Sequence, residues 1–141
     1  MSIFARLRVK DDLNNLVIKL ENMKLEENVL TFTMRFNSMY YKKKYTFRLV
    51  FPDDYPFVGP KLYCQTPTFH PNIYEGVVCL KILRDGWMPS YNINSAVLSL
   101  IEIFENVSEE DPFNEEAANM LQFDPVKFME KIKECEKKQE M

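Results

Sequence analysis

HPNIYEGVVCLKILRDGW, residues 70–87, decides the reading of this chain. It opens on a proline-fixed turn, His70-Pro71-Asn72, and passes a glycine at Gly76. It then reaches a cysteine at Cys79 and closes on the chain's only tryptophan, Trp87. A side-chain amide, a thiol and a short loop between two apolar segments form the kind of grouping that carries chemistry on a scaffold. The rest of the sequence has to say what the thiol is for.

At 141 residues the chain fits one domain with a real core, read here as a single unit over 1–141. Its apolar content of 46% and charged content of 28% are ordinary for a soluble globular protein. A net charge of −3 gives no basis for general nucleic-acid binding. Three scattered cysteines, Cys64, Cys79 and Cys135, without a C-x-x-C pair, speak against a disulfide framework or a zinc site. With one histidine, no metal site of usual composition is expected, and no cofactor. The start, MSIFARLRVKDD, is charged too early for a signal peptide, and no apolar run reaches membrane-spanning length. The expectation is a reduced intracellular protein, cytoplasmic or nuclear, in which a thiol stays free.

Upstream of the central stretch, residues 3–16 read as a helix with an apolar stripe of Val9, Leu13 and Leu16. Arg6, Arg8 and Lys10 fall off that stripe, either as a solvated face or as a basic patch for a partner. A first strand is expected within 17–25, followed by a turn at Glu26-Glu27-Asn28. Leu30, Phe32, Met34 and Phe36 alternate with polar residues, as do Tyr45, Phe47, Leu49 and Phe51, so two half-buried strands flank a basic hairpin over 37–44. Residues 52–60, PDDYPFVGP, cannot join a ladder, and Leu62 and Cys64 suggest a short fourth strand.

Downstream, Ile93, Val97, Leu100, Ile101 and Phe104 keep helical spacing, with Asn92 or Asn94 as cap. An acidic loop, 106–113, leads to a short helix capped by Asn114. Asp124-Pro125 then starts a last helix with the stripe Phe128, Ile132 and Cys135, and the tail EKKQEM is expected to fray. Short connections make the strands an antiparallel meander, and the order of elements is α+β.

The chemistry turns on Cys79. A cysteine nucleophile usually needs an activating base. His70 is the only histidine and is locked in a His-Pro-Asn turn. A thiol without a dedicated base suits exchange of an already activated acyl group better than hydrolysis. Asn72 can donate its amide N–H to a thioester oxyanion, or can merely brace the turn; spacing alone leaves both open. Asp111, in the acidic loop, can orient an incoming lysine, or can be a solvated acid like Glu109 and Glu110 beside it. Tyr74 either lines the site or caps the loop, and Trp87 reads as a packing anchor.

Taken together, His70-Pro71-Asn72, Gly76, Cys79-Leu80, Ile82-Leu83, Trp87 and Pro89, with FPDDYPF and Pro60 before them and Asp111-Pro112 after, resemble the ubiquitin-conjugating enzymes over essentially the whole chain. The resemblance implies the UBC fold: an N-terminal helix, a four-stranded antiparallel sheet, a central helix and C-terminal helices. It implies an enzyme that accepts a ubiquitin-like modifier as a thioester on Cys79 from an activating enzyme. The modifier then passes to a lysine of a protein substrate, usually with a RING-type ligase. Asn72 and Asp111 would share the catalytic work with Cys79, while Tyr74, His70 and Lys81 would line the site, His70 mainly as a structural member of the turn. Phe57, Pro89 and Ser90 would meet the ligase, and Phe4, Arg6, Arg8 and Lys10 the activating enzyme.

Ile93-Asn94-Ser95 and Asp111-Pro112-Phe113-Asn114 are most similar to the neddylation-type members. A ubiquitin-specific enzyme and a non-catalytic scaffold that only binds a modifier are the alternatives, and an unrelated thiol hydrolase dependent on His70 ranks below both. Three departures stand out. The interval from Asn72 to Cys79 is one residue shorter than the family's usual spacing, Gly59 stands where a second proline is common, and Lys81 takes a position often acidic or Asn.

Overall fold

A computed structural model describes residues 1–138. Its elements are α1 (Ile3–Asn14), β1 (Glu21–Glu26), β2 (Val29–Met34), β3 (Tyr45–Val50), β4 (Lys61–Cys64), β5 (Ile73–Tyr74), β6 (Val77–Val78), α2 (Lys81–Arg84), α3 (Ile93–Glu105), α4 (Glu115–Phe123) and α5 (Pro125–Lys138). The strands form one antiparallel sheet in the order β1-β2-β3-β4-β6-β5. The expected four-stranded meander is therefore present, and the sheet has six strands because the site stretch adds a hairpin at its edge. Two-residue strands are too short to show a period of two, so no pattern in the sequence announces them.

Alternation builds the middle of the sheet. Leu30 faces Leu49, Phe32 faces Phe47 and Met34 faces Tyr45, all six buried on one side. Leu62 and Cys64 extend this surface from β4. The first strand starts later than expected, at Glu21, and all six of its residues are exposed; its charged edge discourages pairing with other chains. Phe104 of α3 anchors the covering layer. It stacks on Phe36 at 4.3 Å between centroids and meets Tyr41, Tyr45 and Phe47 edge-on or tilted. Asn92, not Asn94, caps α3: its side chain accepts from Ser95 N–H in a reciprocal box. Asn94 instead ties down the segment after α1, accepting from Val17 N–H and donating to Asn15 O.

Three helix readings need correction. Helix α1 ends at Asn14, and its buried face is Ala5, Val9 and Asp12; Leu13 and Leu16 are only partly covered. In α5 the buried positions are Phe128, Ile132 and Glu136, with Cys135 half-buried. Spacing of i, i+4 and i+8 carries the inward face one residue past the expected cysteine. Glu136 is tolerated there because its carboxylate accepts from Tyr45 O–H at 3.1 Å and from Lys42 N–H at 3.2 Å. Of the tail expected to fray, Glu136, Lys137 and Lys138 are helical, and Gln139, Glu140 and Met141 lie outside the described residues.

The proline-rich loop is fastened by Trp87. Its indole N–H donates to Pro56 O at 2.6 Å, and its ring packs between Tyr55 and Tyr91. Gly59 lies flat against that indole. A Cβ there would stand 2.8 Å from Trp87 Cγ and 3.0 Å from Cδ2, which explains the departure at this position. Gly59→Ala is expected to destabilise the fold by about 1–3 kcal/mol through overpacking. Denaturant unfolding measures this, and an unchanged midpoint would mean that the indole moves aside freely.

Candidate active site

Cys79 follows directly from β6 and precedes α2. The hairpin that carries it is the shortest possible. Tyr74 pairs with Val77, and the two residues between them, Glu75 (φ 49°) and Gly76 (φ 79°), both have positive φ, as a type I′ turn requires. Cys79 N–H donates to Asn72 O at 2.9 Å, so the thiol-bearing strand end and the His-Pro-Asn turn stay in direct contact.

His70 organises the turn from beneath. It is fully buried, stacked on Tyr41 (5.1 Å) and tilted against Phe104 (4.9 Å). Its Nδ1 accepts from Asn72 N–H at 2.9 Å, which leaves the proton on Nε2 to donate to Ile103 O at 2.7 Å. Burial pushes the imidazole from the ordinary 6.5 down to about 4. His70 therefore does not line the site; it is a neutral core residue that shapes the turn, and it cannot reach Cys79 as a base.

Asn72 itself is half-buried, and its carboxamide has no hydrogen-bond partner among the described residues. The turn is braced by backbone and by His70, so the amide is left free of that task. The acidic loop reaches the same place from the other side. Phe113 N–H and Asn114 N–H both donate to Pro71 O, at 2.9 and 2.8 Å. The Asn114 side chain also donates to Ile73 O while capping α4 through Ala117 N–H. These bonds bring Asp111 to the mouth. Asp111 has φ 47°, a conformation Asp tolerates better than most residues, and its carboxylate pairs with Arg84 at 3.0 Å. Tyr74 is half-exposed and meets Phe113 edge-on at 6.2 Å, so it lines the rim.

Beside the thiol is an apolar groove of about 470 Å³, walled by Leu62, Val78, Leu83 and Phe113, with Cys79 and Arg84 among its lining. Lys81, the first residue of α2, is exposed next to it. Sequence reasoning misses Arg84 and Phe113, whose partners Asp111 and Tyr74 are distant along the chain; no periodicity signals such contacts. Of the other thiols, Cys64 is buried and pushed up to about 11, and burial also raises Cys135.

The residues assigned to partner surfaces gather at one end. Phe57 is 76% exposed and Phe4 79%, and Pro89 and Ser90 are exposed as well. Ile3 and Leu7 add exposed apolar area beside Phe4 on α1; they lie off the stripe read from the sequence. Arg6 and Lys10 are exposed, but Arg8 is not free. It donates to Asp12 (2.8 Å), Pro89 O (3.0 Å) and Tyr91 O (2.6 Å), and Asp12 also accepts from Tyr55 O–H. Arg8 thus clamps α1 to the loop holding Pro89 and Ser90 and is not part of an open basic patch.

Among the described residues no group of three or more His, Cys, Asp or Glu could hold a metal ion. No helix among them is long and apolar enough to cross a membrane.

Residues 5–136 match the family described as ubiquitin-conjugating enzyme. The chain is 38% identical over 138 residues to a NEDD8-conjugating enzyme, ubc12, of Schizosaccharomyces pombe, covering 92% of this chain and 77% of that protein. It is 32% identical over 124 residues to NEDD8-conjugating enzyme Ubc12 of Dictyostelium discoideum, covering 83% of this chain but only about half, 54%, of that relative. The solved structure of S. cerevisiae Ubc12 superposes with a TM-score of 0.82 at 32% identity, covering 94% of this chain and 76% of that one. With a matched span that covers nearly the whole chain and a fold shared with a solved relative, this chain belongs to the ubiquitin-conjugating enzyme family.

Proposed function

We infer that this chain carries a NEDD8-type modifier as a thioester on Cys79, receives it from an activating enzyme and hands it to a substrate lysine, with a RING-type ligase engaged through Phe57, Pro89 and Ser90. The observation that carries the reading is the environment of the thiol. Cys79 lines an apolar groove, has no histidine free to serve it, and is bonded through its backbone N–H to Asn72, whose carboxamide has no hydrogen-bond partner among the described residues. Hydrolysis would need a base, whereas exchange of an activated acyl group does not. In this reading Asn72 donates to the oxyanion, and Asp111, released from Arg84, orients the lysine ammonium and helps remove its proton. The groove gives an apolar floor to the modifier's C-terminal segment. Phe4, Ile3 and Leu7, with Arg6 and Lys10, form the surface for the activating enzyme. Three free cysteines suit the reducing cytoplasm or nucleus. The neddylation type is supported by the names of the relatives.

The test is loading. Incubation with ATP, a NEDD8-specific activating enzyme and NEDD8 should give an adduct that reducing agent removes, and Cys79→Ser should turn it into an adduct that resists reduction but yields to mild base. An adduct only with ubiquitin and its activating enzyme would overturn the choice of modifier, and no adduct with either would overturn the carrier role.

A further inference from the structure

We propose that Lys81 is an internal acceptor for the acyl group on Cys79, so that a loaded molecule left without a substrate converts in cis to a form modified on its own lysine. The proposal rests on the carrier role inferred above. Leu80 between the two residues has φ −98° and ψ 135° and is 1% exposed, while Cys79 is half-buried and Lys81 exposed. Through an extended residue that points inward, its two neighbours project to the same, outer side. Their Cα atoms are then about 7 Å apart, and an extended lysine stem reaches about 6 Å, enough to bring Nζ to a carbonyl bonded to Cys79 Sγ. Lys81 has no ion pair or side-chain hydrogen bond among the described residues, so nothing holds it away. Three positions along α2, on the neighbouring face, Arg84 holds Asp111 at 3.0 Å. The carboxylate suited to an incoming lysine therefore lies close to a resident one.

The step balances without a further reagent. Neutral Nζ attacks the thioester carbonyl carbon, the C–N bond forms, and the C–S bond breaks. Sγ leaves as thiolate and takes up a proton, and Nζ sheds one to water. The product is an isopeptide on Lys81 and a free Cys79 thiol. An acyl chain fixed there would overlie the groove and block reloading, so the reaction would limit the lifetime of carriers that find no substrate.

The test loads the protein with NEDD8, removes ATP, and follows the adduct that survives reducing agent. The expected result is a slow, first-order rise of that adduct, with a rate constant independent of protein concentration. Peptide mapping should place the branch at Lys81. Lys81→Arg should lower the resistant fraction, relative to thioester present, at least about tenfold, since it removes the acceptor with the in-cis advantage. Thioester with no resistant adduct, an adduct mapped elsewhere, or a rate that scales with protein concentration would overturn the inference. Failure to form any thioester would instead overturn the carrier role, and this inference with it.

Discussion

Asn72→Ala is expected to slow transfer of the modifier from Cys79 to a lysine by about 10²–10³-fold, equivalent to about 3–4 kcal/mol of transition-state stabilisation. The tetrahedral intermediate formed by an amine places full negative charge on the former carbonyl oxygen, and Asn72, bonded through its backbone to Cys79, carries a carboxamide with no hydrogen-bond partner among the described residues. Loading should suffer far less, because exchange between two thiols has a good leaving group on both sides. Asn72→Asp tests the donor directly: the shape is nearly kept, but an acceptor replaces the N–H, so the loss should equal or exceed that of alanine. A bracing role makes the opposite forecast. The turn is already held by Asn72 N–H on His70 Nδ1 and by Cys79 N–H on Asn72 O, so neither variant should shift the melting temperature appreciably. A large fall in melting temperature together with unchanged single-turnover discharge would assign Asn72 to the loop alone.

Which parts of the fold and the site are legible in the sequence divides along physical lines. Period-two alternation exposes β2 and β3, whose inward residues pair face to face as the pattern requires. Helical spacing exposes α3, and the caps Asn92, Asn114 and Asp124 follow from side chains that satisfy orphan N–H groups. The thiol, the amide and the acid stand out in the sequence because their chemistry restricts residue type. The hairpin β5–β6 is not, since a two-residue strand has no period. The inward turn of Arg8 is hidden for another reason. A charged residue off an apolar stripe normally points to water, and here it is drawn in by Asp12 and by two carbonyls more than 80 residues away. Glu136 repeats the lesson: a buried carboxylate is stable only with donors that tertiary structure supplies.

His70 shows how a residue can shape a turn it does not expose. Its imidazole is held neutral, with a folded-state value of about 4 against the ordinary 6.5. Between those two values the unfolded chain binds the proton and the folded protein does not, so stability rises with pH across that window and is lost as pH falls. The depression corresponds to about 3 kcal/mol for a fully buried group. The measurement is the pH dependence of unfolding free energy in denaturant, compared between the native protein and His70→Gln. Glutamine offers an amide donor and acceptor but does not titrate there, so the difference between the two curves should narrow by about 3 kcal/mol from pH 6.5 to pH 4. At neutral pH the variant should itself be less stable, because it loses the ring packed against Tyr41 and Phe104. Parallel curves would refute the buried neutral imidazole. The same proton has a local consequence: once Nδ1 carries it, Asn72 N–H loses its acceptor, and the His-Pro-Asn turn loses one of its braces. In the folded protein that protonation comes only near pH 4, after the stability carried by the neutral ring has been lost, and it reaches the site solely through the backbone of Asn72.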